Sequence, residues 1–302
     1  LSHKCVGWLS KSDFIYEKLD KDGWFTETQK RADFAATLEK FSEDMVYKML
    51  ADMRFKFPEY KKLCLSGGLF ANVKLNQFIN ESNLYDEIYI HQAMGDSGLF
   101  LGAALLKAYE LKEIKEPLKP KNVYWGESFS KDHWLSILES NPTVKTRSFD
   151  FDYVANLINE GKVVGLFQGR TEYGPRALGN RSIIVKPTDP ETHQKLNQRL
   201  KRTEIMPFAP SVLSEYAEDI FDCSKSKYTA EFMTLCYKTR PEWESKIPAV
   251  VHPIDKSARP QIVKRDANPF YYDIIDAYRK ISGFPIVLNT SFNAHGEPIN
   301  NY

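Results

Sequence analysis

No apolar run in this sequence approaches the roughly 20 residues needed to cross a bilayer. The longest, around Lys162 to Phe167 and Pro285 to Leu288, are strand-sized. Charge of one sign is also missing. The 41 Lys and Arg are balanced by 40 Asp and Glu, so no net field draws the chain to nucleic acid or an anionic membrane, and any anion site must be local. Cysteine is sparse. Cys5, Cys64, Cys223 and Cys236 stand without CxxC spacing, and no signal-like segment opens the chain, so core thiols in a reducing cytoplasm are expected. No two of the six histidines lie three or four residues apart, which excludes a helical His pair for a metal. No Gly-Lys-Ser/Thr follows a glycine-rich turn and no GxGxxG opens a helix, so any nucleotide site uses a different scheme.

What the chain does have is bulk. With 42% apolar and 13% aromatic residues in 302, it can bury the cores of two soluble domains. Phe34, Leu38, Phe41, Met45, Met49 and Met53 recur every three or four residues and predict a long helix over Arg31 to Phe57 that packs on its apolar stripe. Two strand-turn-helix units follow, with strands at Lys62 to Ser66 and Glu87 to His91, which predict a parallel pairing. Lys112 to Asn122, rich in lysine and proline, reads as a linker. Beyond it the patterns predict a helix over Asp152 to Glu160 and a buried strand over Lys162 to Gln168. Further strands are expected at Ser182 to Val185, Ala249 to His252, Pro260 to Val263 and Pro285 to Leu288, and a helix over Pro269 to Ile281. The chain begins at Leu1 and stops just after a Gly-Glu-Pro-Ile turn, so it is expected to be a fragment at both ends.

Three segments carry chemistry. The loop from Gly169 to Ser182 holds three glycines, three arginines and one proline in fourteen residues, directly after a buried strand. Its glycines let backbone approach a ligand, and Arg170, Arg176 and Arg181 offer planar forks for phosphate or carboxylate. A surface loop braced by pairs between these arginines and Glu172 fits the same residues. Asn197 to Glu204 is a basic helix end leading into Met206-Pro-Phe-Ala-Pro-Ser211, where two prolines fix extended backbone. Leu288 to Pro298 places short polar side chains at the end of an apolar strand, where ligands bind in open α/β sheets.

Taken together, these segments resemble the carbamoyltransferase family of nodulation-factor, cephamycin, aminocoumarin and tobramycin enzymes. Glu172-Tyr-Gly-Pro-Arg-Ala-Leu-Gly-Asn-Arg-Ser182 is close to the family signature, and Leu288-Asn-Thr-Ser-Phe-Asn with Gly296-Glu-Pro-Ile299 is a second one. Ile247 to His252, Ala258-Arg-Pro-Gln261, Leu65 to Asn72 and Gly95-Asp-Ser-Gly98 are similar to other family segments.

The resemblance implies an α/β fold: the second lobe of an actin/sugar-kinase-like (Kae1-like) domain over 1–115, then a YrdC/Sua5-like domain with a twisted mixed sheet over 116–302. It implies ATP and carbamoyl phosphate as substrates, Mg with the ATP, and transfer of carbamoyl through an adenylate to a hydroxyl of a sugar, antibiotic or oligosaccharide. Lys201, Arg259, Asn289 and Ser291 would line the adenylation pocket, with Arg176 and Arg181 beside them. Gly67, Gly68 and Asn72 would face nucleotide, and Asp96 matches a carboxylate for a divalent metal, iron in the full-length enzyme. The usual upstream histidine pair is absent, and Met206 replaces an arginine, so this chain is expected to bind metal weakly or not at all and not to complete transfer. A tRNA threonylcarbamoyladenosine-type enzyme and a non-catalytic nucleotide-binding module are the competing readings. Oligomeric state is not legible, although an exposed half-domain would favour a homo-oligomer.

Overall fold

The computed structural model describes residues 16–116, 119–200 and 207–293. The first part begins with a long helix, α1 (Thr28–Lys56), followed by β1 (Lys62–Leu65) and a single 3-10 turn at Gly68–Ala71. Helix α2 (Val73–Glu81) starts where it does because the Asn72 side chain accepts the N–H groups of Lys74 and Leu75, satisfying two of the first-turn donors. β2 (Glu87–Ile90) then lies parallel to β1, with Lys62 beside Glu87 and Leu65 beside Ile90. Alternate residues Leu63, Leu65, Ile88 and Ile90 are buried, as strand geometry requires. α3 (Leu99–Glu110) follows.

The second part opens with α4 (Lys131–Glu139) and α5 (Phe151–Asn159). Its main elements after that are β3 (Val164–Phe167), β4 (Arg181–Val185), α6 (Thr192–Arg199), β5 (Ala209–Leu213), the short helices α7 (Ala217–Ile220) and α8 (Lys227–Ala230), β6 (Tyr237–Lys238), the short α9 (Pro241–Glu244), β7 (Ser257–Ala258), β8 (Gln261–Val263), α10 (Pro269–Ser282) and β9 (Ile286–Ser291). Five of the strands form one sheet in the order β3-β4-β9-β5-β8, antiparallel except for the parallel pair β5 and β8. Asn268 accepts the Tyr271 N–H at 3.2 Å to start α10, with Pro269 at its first position, where a missing N–H costs nothing.

This sheet has two unlike faces. Val185, Val212, Ile262, Ile286 and Leu288 belong to a large apolar cluster that continues into the first part through Leu75, Ile88 and Ile90. The opposite face packs Leu166, Ile184, Leu213, Val263 and Val287 against Tyr271, Ile274 and Tyr278 of α10 and Ile158 of α5. One apolar cluster therefore spans both sides of the 115/116 boundary, and Val123, just past the expected linker, is buried.

Three expectations are corrected. The stripe on α1 is not its packed face: Leu38, Phe41, Met45, Met49 and Met53 are exposed, while Val46 and Leu50 are buried. The packed face is one residue, about 100°, around the helix from the predicted one. Ala249 to His252 is not a strand; Pro248–Val250 forms a 3-10 turn, where Pro248 supplies no N–H for a ladder. Cys64 is an exposed thiol, whereas Cys223 and Cys236 are buried. The backbone that the two prolines make extended continues into β5, which lies inside the sheet. No described helix is long and apolar enough to cross a membrane.

Candidate functional site

At one end of the α10-facing side of the sheet the apolar residues give way to Ser182, Ser211, Gln261, Asn289 and Ser291. The pairing explains the cluster: Ser182 sits opposite Ser291, Ser211 is registered with Gln261, and Asn289 and Ser291 share a face by strand alternation. Ser182, Ser211, Gln261 and Asn289 are buried. Ser291 is half-buried, its hydroxyl donating to Asn293 Oδ1 at 2.5 Å.

The loop from Gly169 to Asn180 roofs this polar end. Glu172 organises it: one carboxylate oxygen accepts backbone N–H groups from Leu178 at 2.7 Å, Asn180 at 2.9 Å and Arg181 at 3.1 Å. A loop rich in inward-pointing N–H groups is an anion nest, and here the chain supplies its own anion to those three donors. Gly179 is needed beneath the roof, since its φ is 108° and a Cβ would overlap the buried Tyr271 ring. Gly174, with φ 115°, passes so close to the first part that a Cβ would stand 2.7 Å from the Gln92 carbonyl oxygen. Tyr173, stacked on Trp125 at 5.1 Å, extends the same contact by meeting His91 and Phe100 edge-on at 5.9 Å.

The three arginines of the loop have different positions. Arg170 is exposed and Arg176 half-buried. Arg181 is fully buried; its guanidinium donates to the carbonyls of Gln168 at 2.7 Å and Gly169 at 3.3 Å and lies 3.7 Å above the Phe167 ring. In this geometry Arg181 ties the loop to β3. The expected Arg–Glu brace takes another form, because Glu172 is satisfied by backbone N–H groups. Arg259 is half-buried just before β8. Burial raises the Cys236 thiol to about 11, against the opposing pull of the cations Arg259, Lys74 and Arg176. Lys201 and Met206 lie outside the described residues, as does Gly296-Glu-Pro-Ile299.

In the first part, the turns after β1 and β2 sit side by side at the strands' carboxyl ends, tied by the Gly67 N–H to the Met94 carbonyl at 2.6 Å. Gly67 and Gly68 face open space, and Asp96 is exposed on the adjoining turn. Asn72 caps α2, and its Nδ2 donates to Glu39 Oε2 at 2.7 Å, so both ends of its amide are engaged by the chain. Among the described residues no group of three or more His, Cys, Asp and Glu side chains is placed to hold a metal ion. The donor set around Asp96 does not fit the iron that the resemblance implies.

Ser211 and Gln261 are not among the site residues that the sequence motifs point to. Their signal was a lone polar residue in an apolar strand, as in Ala-Pro-Ser211-Val-Leu and Gln261-Ile-Val.

The fold and site define an α/β protein with a polar sheet end under a glycine- and arginine-rich loop. The family described as Carbamoyltransferase C-terminus matches residues 155–302, and Carbamoyltransferase N-terminus matches residues 14–105. Nodulation protein NolO of Bradyrhizobium diazoefficiens is 36% identical over 281 residues, 90% of this chain and 50% of that protein. Nodulation protein NolNO of Sinorhizobium fredii is 35% identical, over 90% of this chain and 40% of its own length. An uncharacterized protein of Methanocaldococcus jannaschii is 39% identical, over 88% of this chain and 44% of its own length. The chain belongs to the carbamoyltransferase family, and it spans about half the length of these relatives.

Proposed function

We propose that this chain carries the carbamoyl-adenylating part of an ATP-dependent O-carbamoyltransferase, residues 116–302 acting as a YrdC-like domain and residues 1–115 as one lobe of a Kae1-like domain. The observation that carries the reading is the polar sheet end, where Asn289 lies beneath the loop that bears Arg176, with Arg259 close by.

The chemistry balances in three steps. Water cleaves carbamoyl phosphate to carbamate and phosphate. A carbamate oxygen attacks the α-phosphorus of ATP, breaking the α–β bridge and releasing pyrophosphate. The acceptor hydroxyl of a small molecule or sugar then attacks the carbamoyl carbon, expelling AMP and giving up its proton. Arg259, Arg176 and Lys201 would neutralise the charge that builds on the phosphates, Mg accompanying the ATP. Ser291 and Asn289 would orient the acyl group, and enclosure under the loop would protect the adenylate from hydrolysis. Arg181 serves this reading through the loop it anchors. Gly67, Gly68 and Asp96 would belong to the transfer site.

The test is pyrophosphate release from ATP that depends on carbamoyl phosphate. The expected result is release by the unaltered chain and a loss of 100-fold or more, on the order of a missing transition-state contact, in Arg259→Ala and Lys201→Ala. Absence of release, or unchanged release in both variants, refutes the reading.

A further inference from the structure

Three buried polar side chains form a hydrogen-bond chain that runs in one direction. Asn289 Nδ2 donates to Ser211 Oγ at 3.0 Å and to Gln261 Oε1 at 3.2 Å. Ser211 Oγ donates to Gln261 Oε1 at 2.7 Å, and Gln261 Nε2 donates to the Leu178 carbonyl at 2.8 Å. Asn289 Nδ2 also reaches the Ala177 carbonyl at 3.1 Å. Amide oxygens and nitrogens are exchanged by a simple flip, so direction needs an independent anchor. The two loop carbonyls provide it, because a carbonyl only accepts. Leu178 forces Gln261 to present its nitrogen to the loop and its oxygen to Ser211 and Asn289. Ala177, Ser211 and Gln261 together then force Asn289 to present its nitrogen to them.

The consequence is on the other side of Asn289. Its Oδ1 is buried and receives no hydrogen bond from the described residues. A buried acceptor of fixed direction is satisfied only by a donor. The geometry points to Gln261 as a positioning residue: by locking the Asn289 carboxamide, it makes the site select an acyl group that carries N–H donors.

This rests on the adenylation reading, and it names what that site discriminates. A carbamoyl group has an NH2 where an acetyl group has a methyl of similar size. The methyl would leave Oδ1 unpaired, and sites built around a hydrogen bond reject analogues that lack it far better than they reject a change of size.

The test compares carbamoyl phosphate with acetyl phosphate in ATP-dependent pyrophosphate release, in the unaltered chain and in Gln261→Leu and Ser211→Ala, with melting curves as a folding control. The unaltered chain should favour carbamoyl phosphate by about 10- to 100-fold, the worth of one buried hydrogen-bond partner. Both variants should reduce that ratio toward one, which a merely structural role would not do, because it would slow both donors alike. Ser211→Ala changes little volume and reads the ratio if Gln261→Leu fails to fold. Equal use of both donors by the unaltered chain, or an unchanged ratio in the variants, overturns the inference and leaves the adenylation reading standing. No release with either donor removes that reading, and the inference with it.

Discussion

Glu172 and Arg181, nine residues apart in sequence, meet through the Arg181 backbone N–H, which donates to Glu172 Oε1 at 3.1 Å, while the Arg181 guanidinium turns away to the carbonyls of Gln168 and Gly169. A loop that reads as an anion site is thereby closed by its own carboxylate and its own cation, each spent on backbone. Glu172→Ala would leave three donors under the loop without that partner. It should destabilise the protein by about 3 kcal/mol, and Glu172→Gln by less, since one oxygen remains. Urea denaturation measures both.

Arg181 and Arg259 should separate cleanly. Lysine at 181 keeps the charge but loses the fork that reaches the carbonyls of Gln168, Gly169 and Asn180 and the planar stack on Phe167. Arg181→Lys should lower the melting temperature by several degrees, corresponding to about 1–3 kcal/mol. Arg259→Ala should reduce pyrophosphate release by far more than any change in its melt accounts for. The reverse pattern would give Arg181 the ligand-facing role.

Two glycines of left-handed backbone offer a contrast. Gly67 has φ 122° but open space around its missing side chain, so Gly67→Ala carries only the backbone strain, about 1–3 kcal/mol. Gly179 has φ 108° and the Tyr271 ring where a Cβ would go, which adds an overpacking cost of about 1–3 kcal/mol. Thermal melts should place Gly179→Ala well below Gly67→Ala.

Lys74 of the first part pairs with Asp255 of the second. Burial pulls the Asp255 carboxyl up, but the hydrogen bonds from Lys74 and from the Ser257 N–H and hydroxyl outweigh it and hold the group well below the usual carboxylate range. A depressed folded value means that the stabilisation is complete above the unfolded value of about 4 and is lost as pH falls below it. Because both side chains are partly exposed, Asp255→Asn should cost only about 1 kcal/mol at pH 7. The gap between the variant and the unaltered chain in urea should narrow by about pH 3. An equal gap at both pH values would show that the ion pair contributes nothing.

Local patterns read well from the sequence where one contact sets the pattern. The parallel pair β1 and β2 announced itself through two strand-turn-helix units, and α10 through its periodicity between Pro269 and Gly283. β5 did not, because Pro210 lacks the N–H that an inner strand uses, and only its neighbours β8 and β9 make that position extended and paired. The stripe on α1 misled for a related reason: periodicity names an apolar face but not what lies opposite it, and in this chain α2 and Tyr85 meet the neighbouring face through Val46 and Leu50. Asn289, Arg176 and Arg259 enter the proposed site through motif resemblance alone. The sequence did not supply the Asn289–Ser211–Gln261 chain, because residues 211, 261 and 289 share a face only after β5, β8 and β9 have taken their registers.

The exposed stripe of α1 also has a redox consequence. Met45, Met49 and Met53 stand open on it, whereas Met94 and Met233 are each 3% exposed. Thioethers in solvent are converted to sulfoxides first, and each conversion turns an apolar side chain polar. Among the described methionines, oxidative damage should therefore begin on this helix and erase its apolar character before it reaches Met94 or Met233, making the stripe a chemical record of whether that face was bare or covered.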